Sequence, residues 1–185
     1  MLSARTLLVS SVVSLLAATS ALAADAHYTL DPAKSTLEYQ FTQAGAQNKG
    51  KFTKYTVTLD VTGDTPSKLD VVVEMNSLDT GDKERDDTLK SADLFSVAKF
   101  PQSRFTSTQI IKTAGGYDAV GKLTIRGVSK DVHVPFTFRP AEGALIGKTT
   151  IKRLDFGVGQ GDWKATDQVG NDVTVSYALK LVAAH

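Results

Sequence analysis

Residues 173–181 read Val-Thr-Val-Ser-Tyr-Ala-Leu-Lys-Leu, and this stretch indicates the fold class more clearly than any other part of the chain. Every second side chain is large and apolar, while Thr174, Ser176 and Lys180 lie between them. Side chains of an extended strand point alternately to the two faces of a sheet, so a period of two indicates a strand with one buried face. The stretch therefore predicts a strand that packs one face against the interior of an all-β domain.

Seven further segments show the same alternation. They are residues 36–41, 55–61, 69–75, 103–109, 117–125, 132–138 and, more weakly, 145–151. Turn-forming pairs such as Gly63-Asp64 and Gly115-Gly116 separate several of them, and connections this short favour antiparallel neighbours. Eight strands with one apolar face each can close into an antiparallel barrel that has no exposed edges. A barrel with a filled core and a two-sheet sandwich would show the same alternation, and both stay open at this point.

One segment departs from the period of two and predicts a single short helix over residues 83–91. Thr80 or Asp82 can cap its first turn. Glu84 and Asp86 place negative charge in that turn, which suits the positive end of the helix dipole.

The N-terminal residues 1–23 predict an export signal rather than part of the fold. Arg5 precedes an apolar stretch over residues 7–18, and residues 21–23 (Ala-Leu-Ala) match the small-x-small pattern that signal peptidase cleaves. The apolar stretch is shorter than the roughly 20 residues that span a bilayer. We expect cleavage after Ala23, one domain over residues 24–185, and a periplasmic location.

The composition argues against several kinds of partner and site. The chain has 21 Lys and Arg and 20 Asp and Glu, and without Arg5 the two totals are equal. A neutral domain with no basic run gives no support for nucleic acid as a partner. The chain has no cysteine, which excludes disulfide bonds and thiolate zinc sites.

No motif indicates catalytic chemistry or a metal site. His27, His133 and His185 are far apart in the sequence, and neither HExxH nor G-x-S-x-G occurs. The acidic residues between positions 79 and 93 lack the spacing of a calcium loop and are interpreted as a capped, solvated helix. The glycines of residues 157–161 are not followed by the helix that a dinucleotide site needs, so they predict a flexible loop or bulge near one barrel end. We expect neither an enzyme nor a metal site.

Three parts of the chain carry a resemblance to a known family. They are residues 77–107, with SLDTG at 77–81, ERD at 84–86, LKSADLF at 89–95, KFP at 99–101 and FTS at 105–107; residues 121–130 (GKLTIRGVSK); and residues 153–159 (RLDFGVG). Together they resemble the YceI-like family of bacterial periplasmic proteins. The resemblance implies a lipocalin-like barrel that holds a polyisoprenoid in its apolar interior.

The expected function is that of a periplasmic carrier for a long-chain polyisoprenoid, either an isoprenoid quinone or a polyprenyl lipid. The alternative is a quinone-linked redox or stress-response protein of the periplasm. No covalent cofactor is expected, and a bound isoprenoid quinone is the one cofactor that the resemblance suggests. A homodimer and a transient contact with the inner membrane are left open.

The apolar strand faces, the loop after the helix and the segment before the last strand supply the residues expected to contact the ligand. Trp163, the only tryptophan, would either close over the ligand or cap the core. The full set is Leu37, Tyr39, Phe41, Tyr55, Val57, Leu59, Val71, Val73, Leu94, Phe95, Phe105, Leu123, Ile125, Val134, Phe136, Phe138, Phe156, Trp163, Val175, Tyr177 and Leu179.

Overall fold

A computed structural model describes residues 25–184, and the expected signal peptide and His185 lie outside these described residues. The described chain forms ten strands and one α-helix. They are β1 (Ala26–Gln43), β2 (Ala46–Phe52), β3 (Tyr55–Thr62), β4 (Thr65–Glu74), β5 (Leu78–Asp79), α1 (Lys83–Lys90), β6 (Gln102–Thr113), β7 (Gly116–Ile125), β8 (Val128–Arg139), β9 (Ala144–Lys152) and β10 (Asp172–Ala184). Short 3-10 turns occupy Met75–Ser77, Arg153–Phe156 and Gly161–Lys164.

The strands form one closed antiparallel barrel. Its order is β1-β10-β9-β8-β7-β6-β4-β3, and β3 pairs with β1 to complete the circle. The two remaining strands extend existing positions of the barrel and do not add new ones. Strand β3 pairs with the first half of β1, and β2 pairs with the second half. Strand β5 pairs with β2 beyond the end of β4. The predicted eight-stranded antiparallel barrel with one helix is confirmed, and all eight predicted segments lie in its strands, apart from Met75, which begins a 3-10 turn.

Strand β1 spans 18 residues and contains a β-bulge. Its register against β10 shifts between Asp31 and Thr36, in the stretch that contains Pro32. Proline has no N–H to give to a ladder and is tolerated at such bulges. The Ser35 hydroxyl bridges the gap, because it donates to the Asp31 carbonyl at 2.7 Å and accepts from the Lys180 N–H at 2.9 Å.

Strands β2 and β5 have no counterpart among the strands predicted from the sequence. Strand β2 reads Ala-Gln-Asn-Lys-Gly-Lys-Phe and has only one large apolar side chain, Phe52. Its inward position opposite Tyr39 is occupied by Gly50, which leaves room for the tyrosine ring. Strand β2 therefore lacks the hydrophobic alternation. The apolar surface at this position comes from Tyr39 of the neighbouring strand β1.

Helix α1 ends one residue earlier than expected, and of the two candidate caps, Thr80 and Asp82, the structure uses Asp82. The Asp82 carboxylate accepts a hydrogen bond from the Arg85 N–H at 3.1 Å. Asp86 fixes the start of the helix by accepting from both the N–H and the hydroxyl of Thr80. No side chain of α1 is buried, so the helix lies on the barrel rather than inside it. No helix within residues 25–184 has the length and apolarity needed to cross a bilayer.

The two ends of the barrel differ. The turns after β3, β6 and β8 lie at one end, which we call the hairpin end. Here the interior is filled by side chains such as Leu59, Leu181 and Phe138, and Tyr28 meets Phe138 edge to face at 5.2 Å. Helix α1, the loop after it and residues 153–171 cover the opposite end, which we call the helix end.

Candidate functional site

The barrel interior contains two adjoining cavities. The larger chamber, of about 160 Å³, lies between the strands, and the smaller chamber, of about 80 Å³, lies beneath α1 at the helix end. The surface of both is almost entirely apolar. The interior is thus hollow towards the helix end and filled towards the hairpin end.

A constriction separates the two chambers. Five residues contribute to the walls of both: Tyr39, Phe95, Ile125, Ile151 and Val173. Four of them belong to strands, whereas Phe95 reaches in from the loop after α1. The backbone of that loop is left-handed at Ser96 (φ 50°), an uncommon conformation for a residue other than glycine. The part of the constriction that a loop contributes is therefore Phe95.

All but three of the residues expected to contact a ligand line a chamber. The larger chamber is lined by Leu37, Tyr39, Tyr55, Val57, Val71, Val73, Phe95, Phe105, Leu123, Ile125, Val134, Val175, Tyr177 and Leu179. The smaller chamber adds Phe41, Leu94, Phe156 and Trp163. Leu59, Phe136 and Phe138 lie instead in the filled core of the barrel.

Several lining residues were absent from the predicted set. Within the larger chamber they include Phe52, Val132, Leu145, Ile151 and Val173. All but Phe52 lie on strand faces that the alternation had marked as inward, so the pattern could have found them. Phe52 belongs to β2 and gave no such signal.

Arg153 organises the segment that forms the outer wall of the smaller chamber. It is only 4% exposed, and its guanidinium donates to the carbonyls of Gly170, Val158, Trp163 and Val169 at 2.6–2.9 Å. Burial lowers the pKa of this guanidinium, but five N–H donors in a planar fork suit a cluster of carbonyl oxygens. In the sequence, Arg153 was recognisable only as the first residue of the segment 153–159.

One of the glycines before Trp163, Gly159, is required by close packing against Arg153. Gly159 has a left-handed backbone (φ 118°), and a Cβ there would lie 2.1 Å from the guanidinium. The segment lies near one barrel end, as expected, and the hydrogen bonds of Arg153 hold it there. Trp163 lines the smaller chamber and is partly exposed, so it forms part of the wall.

Two tyrosines in the chamber walls have matching surroundings and different hydrogen bonding. Each lies across a glycine on the neighbouring strand: Tyr177 faces Gly147, and Tyr39 faces Gly50. The Tyr177 hydroxyl donates to the Pro135 carbonyl at 2.6 Å. The Tyr39 hydroxyl is buried and has no hydrogen-bond partner among the described residues.

The surroundings of both phenols disfavour their ionised form. For Tyr39, burial raises the pKa most, and the charges of Asp86 and Asp79 raise it further against a smaller opposing effect of Arg85. For Tyr177, burial and the charge of Asp118 raise the pKa. Both hydroxyls therefore keep their protons and can act as hydrogen-bond donors at neutral pH.

Ionisable groups suited to acid–base or metal chemistry lie away from the chambers. His133 meets Asp118 at 2.6 Å, and His27 meets Asp60; both histidines are exposed. Within residues 25–184, no His, Asp or Glu lines either chamber, and no three such residues are grouped in a way that could hold a metal ion.

Residues 28–181 match the YceI-like domain. The chain belongs to the YceI-like family. This confirms the resemblance carried by the three sequence segments. A UPF0312 protein of Pectobacterium atrosepticum is 37% identical over 132 residues, which cover 69% of this chain and 69% of that protein.

Solved structures agree with this YceI-like assignment. The crystal structure of BcnA from Burkholderia cenocepacia superposes with a TM-score of 0.76 at 31% identity, covering 83% of this chain and 99% of BcnA. A polyisoprenoid binding domain from Saccharophagus degradans has a TM-score of 0.62, covering 85% of this chain and 98% of that domain. At 19% identity, this second likeness shows the shared fold alone.

Proposed function

We propose that this YceI-like protein is a periplasmic carrier that sequesters a long-chain polyisoprenoid, an isoprenoid quinone or a polyprenyl lipid, inside its barrel. The observation that carries the proposal is the pair of adjoining apolar chambers inside a closed barrel. The polyisoprenoid binding described for the Saccharophagus degradans domain supports it by analogy of fold.

Apolar burial alone is sufficient to hold such a chain. Each methylene removed from water contributes about 0.8 kcal/mol, so a dozen buried carbons contribute on the order of 10 kcal/mol before the costs of association. An apolar cavity of about 150 Å³ accommodates one benzene ring. A long chain would therefore occupy both chambers and displace the constriction between them.

A binding role fits the chamber walls better than a catalytic one. General acid–base catalysis needs a titratable group within hydrogen-bond reach of the reacting atoms. Both histidine–aspartate pairs have their histidine exposed on the outer surface. The two buried tyrosines favour hydrogen bonding over proton transfer, because burial raises their pKa values.

Adjacent positions on β9 provide a matched test of ligand binding. Thr149 lines the larger chamber, and the neighbouring Lys148 is exposed on the outside. Native mass spectrometry of protein purified from the periplasm of its own host should show a bound isoprenoid in the wild type and in Lys148→Trp. Thr149→Trp should lose it, because the indole fills the chamber.

Circular dichroism of the two tryptophan variants provides the folding control. If folded Thr149→Trp carries as much isoprenoid as the wild type, the ligand is not in the larger chamber. A wild-type protein that never carries an isoprenoid would contradict the proposed function.

The periplasmic part of the proposal depends on residues 1–23. Cell fractionation should place the protein in the periplasm, and its intact mass should correspond to a chain that begins at Ala24. Retention of full-length chain in the cytoplasm would contradict this location.

A further inference from the structure

Towards the hairpin end, the larger chamber stops at two leucines, Leu69 and Leu145, which we call the floor. Both line the chamber, yet they are only 2% and 1% exposed. They belong to β4 and β9, which occupy opposite positions in the order of strands around the barrel. The floor is therefore built from two opposite walls of the barrel.

The floor rests on a connected layer of packed side chains. Leu59 pairs with Leu69 on one side and with Tyr28 on the other. The Tyr28 ring meets Phe138 at 5.2 Å, and Phe138 pairs with Leu145. Leu59, Tyr28 and Phe138 line neither chamber. Because a close-packed interior admits extra carbon atoms only at a cost in free energy, a hydrocarbon chain stops at the floor.

The opposite end of the barrel gives the chain its direction. The chamber surfaces expose almost no polar atoms, so a polar end group would lose its hydrogen bonds to water inside them. At the helix end, the smaller chamber is bordered by Gln43, Arg85 and Thr88, which are partly exposed to solvent. A bound lipid is therefore most stable with its polar end in solvent beyond the helix end and its apolar end towards the floor.

We propose that Leu69 and Leu145 determine how much of a lipid chain the barrel holds, so that affinity rises with chain length only until the apolar end reaches the floor. This inference rests on the proposed function, since it assigns the chain-length selectivity of the same chambers. Each buried carbon contributes about fourfold to affinity, whereas a carbon that stays in water contributes nothing. Leu69 and Leu145 are then specificity-determining residues.

The size of the floor side chains sets the depth of the chamber. Replacing leucine by alanine removes three carbon atoms, so the double variant Leu69→Ala/Leu145→Ala makes room for about one five-carbon isoprene unit. Leu145→Phe has the opposite effect, because its ring adds three carbon atoms next to the empty space of the chamber.

Binding of all-trans prenols with two to eight isoprene units tests the proposal. Trp163 is the only tryptophan and lines the smaller chamber, so its fluorescence reports binding. In delipidated wild-type protein, affinity should rise with each isoprene unit and then level off. In Leu69→Ala/Leu145→Ala it should level off about one unit later, at an affinity higher by about tenfold or more. In Leu145→Phe the final affinity should be lower by about tenfold or more.

Leu181→Ala is the matched control. Leu181 is 2% exposed and belongs to the same packed core, but it lines neither chamber. This variant loses the same three carbon atoms at one position, yet its affinity should level off at the wild-type length and value. Circular dichroism shows whether each variant is folded. If the double alanine variant does not fold, Leu145→Phe decides the test.

The outcomes separate the two proposals. If folded floor variants level off at the same chain length and affinity as the wild type, the role of the floor is overturned and the carrier function stands. An equal shift in Leu181→Ala also overturns it, because the effect then comes from general loosening of the core. Wild-type affinity that keeps rising up to eight units overturns it too. If no prenol binds the wild-type protein, the proposed function fails, and the inference fails with it.

Discussion

At the scale of single residues, Tyr39 and Tyr177 give opposite predictions for stability. In ligand-free protein, Tyr39→Phe should raise the free energy of unfolding by about 1 kcal/mol, because it removes a buried hydroxyl that has no partner. Tyr177→Phe should lower it by about 1 kcal/mol, because the hydrogen bond to Pro135 is lost. Urea denaturation with unchanged m-values measures both. Equal destabilisation by the two variants would show that Tyr39 has a protein partner.

Arg153 has a larger structural role than its sequence position suggests. Arg153→Met should lower the free energy of unfolding by about 3 kcal/mol, because several buried carbonyls lose their donor. Amide hydrogen exchange should become faster across residues 157–170.

The neighbouring Lys152 provides the control for Arg153. It is exposed and pairs with Asp172 at 3.0 Å, and exposed ion pairs contribute little. Lys152→Met should therefore change stability by less than about 0.5 kcal/mol. An equally small effect of Arg153→Met would mean that the carbonyls find other donors or water.

At the scale of elements, the loop after α1 places Phe95 where the two chambers meet. Phe95→Ala should open the constriction and raise the affinity ratio of an eight-isoprene to a four-isoprene ligand by about tenfold, because more of the longer chain becomes buried. Fluorescence competition with the two ligands measures this ratio.

Phe100→Ala is the control for this loop. Phe100 packs against the β7–β8 turn at Gly127 and lines neither chamber, so the variant loses packing of the same residue type without opening the constriction. Its affinity ratio should match that of the wild type. A similar rise in both variants would assign the effect to general loosening of the loop.

At the scale of the whole molecule, a ligand inside a closed barrel must stabilise the fold. Binding to the folded state alone adds about 2.7 kcal/mol at a free ligand concentration of 100 times Kd. For a domain of this size, that corresponds to a rise in Tm of roughly 5–10 °C. Differential scanning calorimetry of delipidated and reloaded protein measures it. No rise with a ligand that binds by mass spectrometry would show that the ligand does not bind the folded barrel in preference to the unfolded chain.

The barrel itself follows from local patterns of the sequence. Alternation in stretches such as residues 173–181 predicts which side of each strand faces inward, because successive side chains of a strand point to opposite faces. The helix was predictable for the same kind of reason, since its cap at Asp82 and its acidic first turn are local. Strand β2 was not predicted because its sequence lacks the hydrophobic alternation. Its inward position is Gly50, and the ring of Tyr39 covers this glycine.

The site was decided by the tertiary structure. Alternation marks a side chain as inward but carries no information on what lies opposite it. Leu59, Phe136 and Phe138 therefore looked like Val57 and Val134 in the sequence, yet the first three fill the hairpin end and the other two line a cavity. The same holds for Tyr39 and Tyr177, both inward tyrosines in β-strands. Tyr177 reaches the Pro135 carbonyl beyond Gly147, whereas Tyr39 has no acceptor among the described residues. The sequence does not reveal this difference, because hydrogen bonding here depends on groups that are distant in sequence.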